Sequence, residues 1–336
     1  MAVLKKIRFF ILIMFILAVI SGCAAGDRKT AVAAGGGKDP GPSSGTGEKV
    51  RVTATIFPLY DFARNIGGDR VEVYSLLPPG AEPHHWEPAP GDLVMLGKSK
   101  VLLYNGAGLE SWLESALKNV DRSKMTVVDC SAGVTLIGGR EHDGDGGDQK
   151  EDHKEEHKGG EMSDPHIWLD PANAAVMVDN ILSGMVKADP ANSDYYTENA
   201  GKYKARLADL DGKYRSALAG AAIKHFVVSH DSFGYLARRY GLEQVPIRGL
   251  NADSEPGPAR MAEIVDLVRK YRIKYIFYET LVSPRVSEAI ARETGARTLV
   301  LNDVAGLTEK EISQGKNYLS VMEENLQNLK TACEAR

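Results

Sequence analysis

The chain has 336 residues, and its 41 Lys and Arg against 45 Asp and Glu give a formal net charge of −4 at pH 7. This acidic balance argues against a nucleic acid as the partner. The three cysteines are too few for a disulfide framework, although Cys130 and Cys333 leave room for one bridge. The length suggests two domains.

The first residues have the pattern of a secretory leader. Basic side chains at positions 5–8 precede an apolar run over residues 9–20, which is shorter than the about 20 residues that span a bilayer. The sequence "VISGC" that follows resembles a bacterial lipobox, in which the signal is removed before a lipidated cysteine. We therefore predict a lipoprotein signal peptide over residues 1–22, a lipid on Cys23 and an extracytoplasmic protein anchored to the cell membrane. The alternative is a plain signal peptide with an incidental cysteine.

Residues 23–48 are dominated by Gly, Ala, Pro and Ser. A segment of this composition cannot bury enough apolar surface to order itself. We interpret it as a flexible tether between the lipid and the folded part of the chain.

Strand-like and helix-like runs alternate over the rest of the chain. The pattern starts with "KVRVTATI" at residue 49 and restarts with "HFVVSH" at residue 225. Such alternation is typical of parallel sheets with helical crossovers. We predict an α/β fold of two lobes with parallel sheets, over residues 49–188 and 221–336.

The segment between the lobes, residues 189–220, has apolar and aromatic side chains near helical spacing. Pro190 fits the first turn of a helix and Gly220 fits its end. A helix over about 191–219 would be about 40 Å long. It would join the lobes as a rigid strut that limits hinge motion.

Residues 139–162 depart from this pattern because they are rich in Gly and acidic residues and almost free of apolar side chains. We predict a disordered loop. It is either a solvated charged loop or a segment for weak auxiliary metal capture by its histidines, His142, His153 and His157.

Two adjacent histidines, His84 and His85, lie in the proline-rich stretch "GAEPHHWEPAP". The prolines exclude a helix or a central strand, so the loop is stiff. His166 lies beside a proline in "SDPHIWLDP", and His230 ends the strand-like "HFVVSH". Because ligands of open α/β sheets bind beyond the carboxyl ends of the strands, these side chains can converge on one cleft.

Two carboxylates also follow predicted strands of the second lobe: Glu279 after "KYIFY" and Asp303 after "RTLVLN". A lone histidine at a strand end is more often a hydrogen-bonded structural residue, and we interpret His225 in this way. Three histidines fixed by prolines or strand ends, together with an acid, indicate a binding site instead.

Several segments in order resemble the metal-specific solute-binding lipoproteins of bacterial ABC transporters. They are "LLPPGAEPHHWEPAPGDL", "DPHIWLDP", "VVSHDSFGYLARRYGL", "RGLNADSEPGPARMAEI" and "IKYIFYETLVSPRVSEAIARETGARTLVLND". The resemblance extends from residue 49 to the C-terminus. It implies two α/β lobes joined by one rigid helix, with a transition metal in the interlobe cleft.

The resemblance implies His84, His166 and His230 as metal ligands, with His85 as an exposed neighbour. The fourth position departs from the more usual family patterns. We choose Asp303, with Glu279 as the alternative fourth ligand and water as a third option.

Three histidines and at most one carboxylate favour Zn²⁺ over Mn²⁺, which prefers more oxygen ligands. The resemblance then implies a monomeric binding protein, not an enzyme, that captures Zn²⁺ and delivers it to an ABC permease. The alternatives are a manganese-binding member of the same family, a zinc-dependent hydrolase and a surface adhesin. No His-Glu-x-x-His motif of a zinc hydrolase is present in the sequence.

Overall fold

The computed structural model of the protein describes residues 48–138, 163–252 and 254–335. These residues contain two four-stranded sheets, and all strand pairs are parallel. The prediction of two α/β lobes with parallel sheets is therefore confirmed. Cys130 and Cys333 are buried and not bonded to each other. Among the described residues, no helix has the length and apolar character needed to cross a membrane.

The first sheet has the strand order β2-β1-β3-β4 and the second the order β6-β5-β7-β8. In each sheet, the strand that comes first in the sequence lies inside the sheet. One strand flanks it on one side and two strands lie on the other side. The strands of the first sheet are β1 Val50–Ala54, β2 Val71–Ser75, β3 Val101–Tyr104 and β4 Thr126–Asp129. Those of the second sheet are β5 His225–Val228, β6 Glu243–Pro246, β7 Tyr275–Tyr278 and β8 Arg297–Val300.

Helices connect and cover these strands, as expected for parallel neighbours. The α-helices are α1 Phe57–Gly67, α2 Pro90–Leu96, α3 Leu113–Lys118, α4 Pro171–Ala188, α5 Ser193–Leu218, α6 Gly234–Tyr240, α7 Pro258–Lys270, α8 Arg285–Thr294, α9 Glu309–Ser313 and α10 Tyr318–Ala332. Short 3₁₀ turns cover Gly68–Arg70, Ile167–Leu169 and Pro190–Asn192.

Helix α4 is absent from the predicted elements, although its start has a clear sequence signal. Asp170 accepts a hydrogen bond from the backbone N–H of Ala172 at 2.8 Å, and Pro171 occupies the first turn. An aspartate cap followed by proline is a common helix start. The helix packs along α5, so it adds a helix to the first lobe that the sequence pattern did not predict.

Helix α5 is the predicted strut, and its 26 residues give a length of about 39 Å. Its apolar stripe from Tyr196 to Leu218 is buried. The Tyr203 hydroxyl donates to Asp61 of α1 at 3.0 Å, and the Tyr214 hydroxyl donates to the carbonyl of Met322 in α10 at 2.6 Å. The strut is therefore fixed to elements that belong to both halves of the chain.

The two lobes share one apolar core. The largest buried cluster joins residues of β1, α1 and α4 to residues of β5 and α10. Within it, Phe62 of α1 and Tyr318 of α10 pack edge to face with ring centroids 4.8 Å apart. Because closing and opening would have to break this core, it restricts movement of the lobes against each other.

Asp211 ties α5 to the second lobe. Its carboxylate accepts hydrogen bonds from Arg239 of α6 at 2.7 and 2.9 Å, from the Tyr240 hydroxyl at 2.9 Å and from Arg215 at 3.1 Å. Burial raises the pKa of Asp211, but the hydrogen bonds from Arg239, Arg215 and Tyr240 outweigh it and lower the pKa to about 2. The charged carboxylate therefore stabilises the folded state.

We expect Asp211→Asn to lower the free energy of unfolding of the metal-free protein by about 1 kcal/mol at pH 7, after allowance for the solvent exposure of this site. A folded-state pKa below the unfolded value contributes stability at pH values above about 4 and loses it toward pH 2. Urea unfolding between pH 7 and pH 3 measures the free energy of unfolding of the variant and the wild type. The difference between these two free energies should become smaller as the pH falls. Asp209→Asn, on an exposed turn of the same helix, is the control. A difference that is constant with pH would contradict this account.

Candidate metal centre

Three imidazoles meet between the two sheets. His84 lies in the loop after β2, His166 precedes the 3₁₀ turn Ile167–Leu169, and His230 follows β5. The Nε2 atom of His166 lies 3.0 Å from Nε2 of His84 and 3.3 Å from Nε2 of His230. The ligand atoms of all three lie within 4.8 Å of one another. The structure thus brings together the three histidines that the sequence predicts.

Carboxylates orient two of these rings through the opposite ring nitrogen. The Nδ1 atom of His166 lies 2.8 Å from Oδ1 of Asp164, and that of His230 lies 2.9 Å from Oε1 of Glu279. In a neutral ring, an Nδ1–H that donates to a carboxylate leaves the lone pair on Nε2, the atom through which these rings meet in the cluster. Both carboxylates and both rings are buried.

The proline-rich loop holds His84 by its backbone. The His84 N–H donates to both carboxylate oxygens of Glu82 at 3.0 Å, and Pro83 between them is buried. Glu82 Oε1 also lies 3.8 Å from His84 Nε2. The stiffness predicted for this loop therefore serves to fix the position of one imidazole.

Burial and mutual proximity change the proton affinity of the rings. Burial, followed by the neighbouring His166, His230 and His85, lowers the pKa of His84 to about 2. Burial and His230 lower the pKa of His166 well below its ordinary value. These two imidazoles are neutral at pH 7 and can donate their lone pairs to a cation.

His230 behaves differently because it lies against Glu279. Burial lowers the pKa of His230, but the charge and hydrogen bond of Glu279 outweigh it and raise the pKa to about 9. Burial, together with the charge of Glu279, raises the pKa of Asp303 to about 7. In the metal-free protein, the cluster therefore holds a proton on His230.

The two carboxylates predicted for a fourth position lie on one side of the cluster. His230, Glu279 and Asp303 form a second group of buried ligand atoms within 4.8 Å of one another. Asp303 is held by the Trp168 indole N–H, which donates to its carbonyl at 2.6 Å, and by the Ala305 N–H, which donates to Oδ1 at 3.1 Å. Both candidates are thus adjacent to His230.

A cleft of about 480 Å³ leads from the surface to the imidazoles. His84 lines it, whereas His166 and His230 are buried beneath. His85 is exposed, as predicted, and its Nε2 lies 2.8 Å from Oδ1 of Asn251 on the opposite wall. Of the three imidazoles, the cleft therefore exposes that of His84 to solvent.

Several predicted residues lie away from this centre. His225 packs on the ring of Tyr271 with centroids 3.6 Å apart and lies 3.6 Å from Glu243, which agrees with a structural residue. Cys23 and the loop histidines His142, His153 and His157 lie outside the described residues.

Sequence reasoning missed the groups that hold the histidines in place. Asp164 is part of the quoted "SDPH" segment, and its position two residues before His166 is the available signal. Asn105, at the end of β3, is fully buried and donates to the carbonyl of Pro165 at 2.9 Å. Nothing in the sequence around Asn105 indicates this contact, because residue 165 is distant along the chain.

Comparison with known proteins agrees with this arrangement. Residues 52–332 match the family described as ZnuA, the periplasmic component A of the zinc-uptake complex. The chain belongs to this family. It is 37% identical over 306 residues to the high-affinity zinc uptake system protein ZnuA of Bacillus subtilis, covering 89% of this chain and 92% of the relative.

The pneumococcal protein AdcA extends the comparison in sequence and in structure. The chain is 36% identical over 283 residues to the zinc-binding lipoprotein AdcA of Streptococcus pneumoniae strain R6, covering 84% of this chain but only 55% of that longer protein. The crystal structure of the Zn(II)-bound ZnuA-like domain of pneumococcal AdcA superposes with a TM-score of 0.71 at 33% identity, covering 85% of this chain and 100% of that domain.

We expect Asn105→Ala to lower the free energy of unfolding by about 2 kcal/mol, because it leaves the Pro165 carbonyl without its buried donor. Urea unfolding of the metal-free protein measures this difference. Asn119→Ala, which removes an exposed side-chain bond to the Ser115 carbonyl, is the matched control and should cost less than about 0.5 kcal/mol. Equal losses in the two variants would contradict the role given to Asn105.

Proposed function

We propose that this protein captures Zn²⁺ outside the cytoplasm through His84, His166 and His230 and delivers it to an ABC permease for import. One observation carries the proposal. A tetrahedral zinc ion with Zn–N bonds of about 2.0–2.1 Å requires neighbouring nitrogens about 3.3 Å apart. The Nε2 atom of His166 lies 3.0 Å from Nε2 of His84 and 3.3 Å from Nε2 of His230. These two separations are close to the spacing that zinc requires, which supports zinc as the bound ion.

The chemistry of the donors also favours zinc over manganese. Neutral imidazole suits Zn²⁺, whereas Mn²⁺ prefers a larger set of oxygen ligands. We propose Asp303 as the fourth ligand, with Glu279 or water as the alternatives. Since Glu279 already accepts the Nδ1 proton of His230, its use as a ligand would cost that ring its orienting partner.

Transport, and not catalysis, fits the family to which the chain belongs. The lipobox at Cys23 supports anchoring to the membrane, where a permease would be reached by a monomeric protein on a flexible tether. The name lipoprotein of the pneumococcal relative supports the same anchor. A saturating metal content without turnover of esters, peptides or phosphates would separate this function from a zinc hydrolase.

We expect His166→Ala and His230→Ala to reduce zinc affinity by at least a hundredfold while the fold is retained, because each removes a nitrogen ligand from a preassembled site. Asp164→Asn, which keeps the shape but replaces the carboxyl group that accepts from His166 Nδ1 with a weaker amide acceptor, should cost about ten- to a hundredfold. Competition with a chromophoric chelator gives the affinities, and circular dichroism confirms folding.

His225→Ala is the control for these variants, since His225 lies outside the cluster and should bind zinc like the wild type. Affinities of His166→Ala and His230→Ala within threefold of the wild type would contradict the ligand assignment.

Purified without added metal, the protein should contain zinc as its main transition metal, because the three-imidazole site favours this ion. Manganese added in hundredfold excess should fail to displace it. Elemental analysis before and after the competition measures both quantities. Replacement of zinc by manganese under these conditions would favour the manganese-binding alternative.

A further inference from the structure

A hydrogen bond joins two exposed residues of the cleft wall. His85 Nε2 lies 2.8 Å from Asn251 Oδ1, and both residues line the cleft. Since an amide oxygen only accepts, the proton of this bond is on His85 Nε2. His85 belongs to the loop after β2 and Asn251 to the loop after β6, so the bond joins the two lobes.

The His85 side of this bond is held rigidly. The Glu82 carboxylate accepts the backbone N–H of His85 at 3.3 Å, in addition to that of His84. Next to it, Trp86 packs edge to face on Trp112 with ring centroids 5.6 Å apart. The same short loop thus fixes one imidazole of the metal centre and one end of the bridging bond.

The Asn251 side is connected to His230 through Arg248. The buried Arg248 guanidinium donates to the carbonyl of Ser254 at 2.8 Å and to the carbonyl of Ser229 at 3.3 Å. Ser229 immediately precedes His230, and the Ser254 hydroxyl donates to the carbonyl of Asn251 at 3.0 Å. Displacement of the Asn251 turn therefore acts on the segment that carries His230.

We propose that His85 and Asn251 form a latch that sets the rate at which the metal enters and leaves the cleft. The inference rests on the zinc-binding function proposed above. His166 and His230 are buried beneath His84, and the shared core and helix α5 restrict movement of whole lobes. Passage of an ion then requires local parting of the two loops, and each parting breaks the His85–Asn251 bond. His85 acts here as a positioning residue and not as a ligand.

The test measures zinc release from the full chain loaded with less than one equivalent of Zn²⁺, by stopped-flow mixing with an excess of a fluorescent chelator. His85→Ala and Asn251→Ala should each accelerate release about fivefold, the factor that corresponds to one neutral hydrogen bond. The double variant should match the single variants, because either substitution removes the same bond. The rate of zinc binding should rise by a similar factor in each variant. The equilibrium affinity for zinc should therefore stay within threefold of the wild type.

His85→Gln separates the latch from a ligand role. The glutamine amide N–H can still donate to Asn251, whereas an amide is a poor zinc ligand, so release should stay near the wild-type rate. The visible absorption of the Co²⁺-loaded protein should be unchanged in all variants. Ser111→Ala, at the cleft wall, is the control and should release zinc at the wild-type rate.

The latch would be overturned if His85→Ala released zinc at the wild-type rate. It would also be overturned if the release rate of the double variant rose by the product of the factors of the two single variants. A changed Co²⁺ spectrum or a large loss of affinity in His85→Ala would also overturn it, by making His85 a ligand. Failure of the wild-type protein to bind zinc would instead overturn the proposed function, so the two results are distinguishable.

Discussion

The packing of three imidazoles around one point, two of them buried, is the constraint on which the rest of this structure depends. Two Nε2–Nε2 separations of 3.0 and 3.3 Å place polar ring nitrogens together at a largely buried site, where burial disfavours their protonated forms. Such a cluster raises the free energy of the metal-free protein. The proton on His230 and the carboxyl groups of Asp164 and Glu279, which accept from the ring nitrogens, reduce this cost. A cation that replaces this proton gains the ligand geometry without paying to assemble it.

The frame around the cluster explains how this arrangement persists. Parallel strands of two sheets direct their carboxyl ends toward one cleft, and the histidines come from loops at these ends. The buried core that runs through both lobes and the 26-residue helix α5 then hold the loops at a fixed separation. In a molecule built this way, loop rearrangement is a lower-energy route for metal exchange than closure of whole domains, since it leaves the core intact.

Much of this centre could be predicted from sequence because its signals are local. Prolines beside His84 and His166, and the strand end before His230, mark fixed side chains whatever the rest of the fold does. The predicted strut also follows from local spacing, since its buried face repeats with the helical period. Helix α4 could also be predicted from local signals, because Asp170 and Pro171 mark its start and its buried apolar side chains recur at helical spacing.

Other features depend on contacts between distant parts of the chain. Asn105 and Pro165, or His85 and Asn251, meet only after both lobes have formed, and no spacing along the sequence encodes these pairs. The sequence also does not decide between Asp303 and Glu279 as the fourth ligand. Both follow strands of the second lobe, and both lie beside His230 in the fold.

X-ray absorption at the zinc K-edge tests the central claim most directly, with the full chain loaded with less than one equivalent of Zn²⁺. The account predicts a first shell at about 2.0–2.1 Å with the multiple-scattering signature of three imidazoles and one lighter oxygen contribution. A shell made of oxygen alone, or one with a single imidazole, would show that His84, His166 and His230 do not bind the ion together.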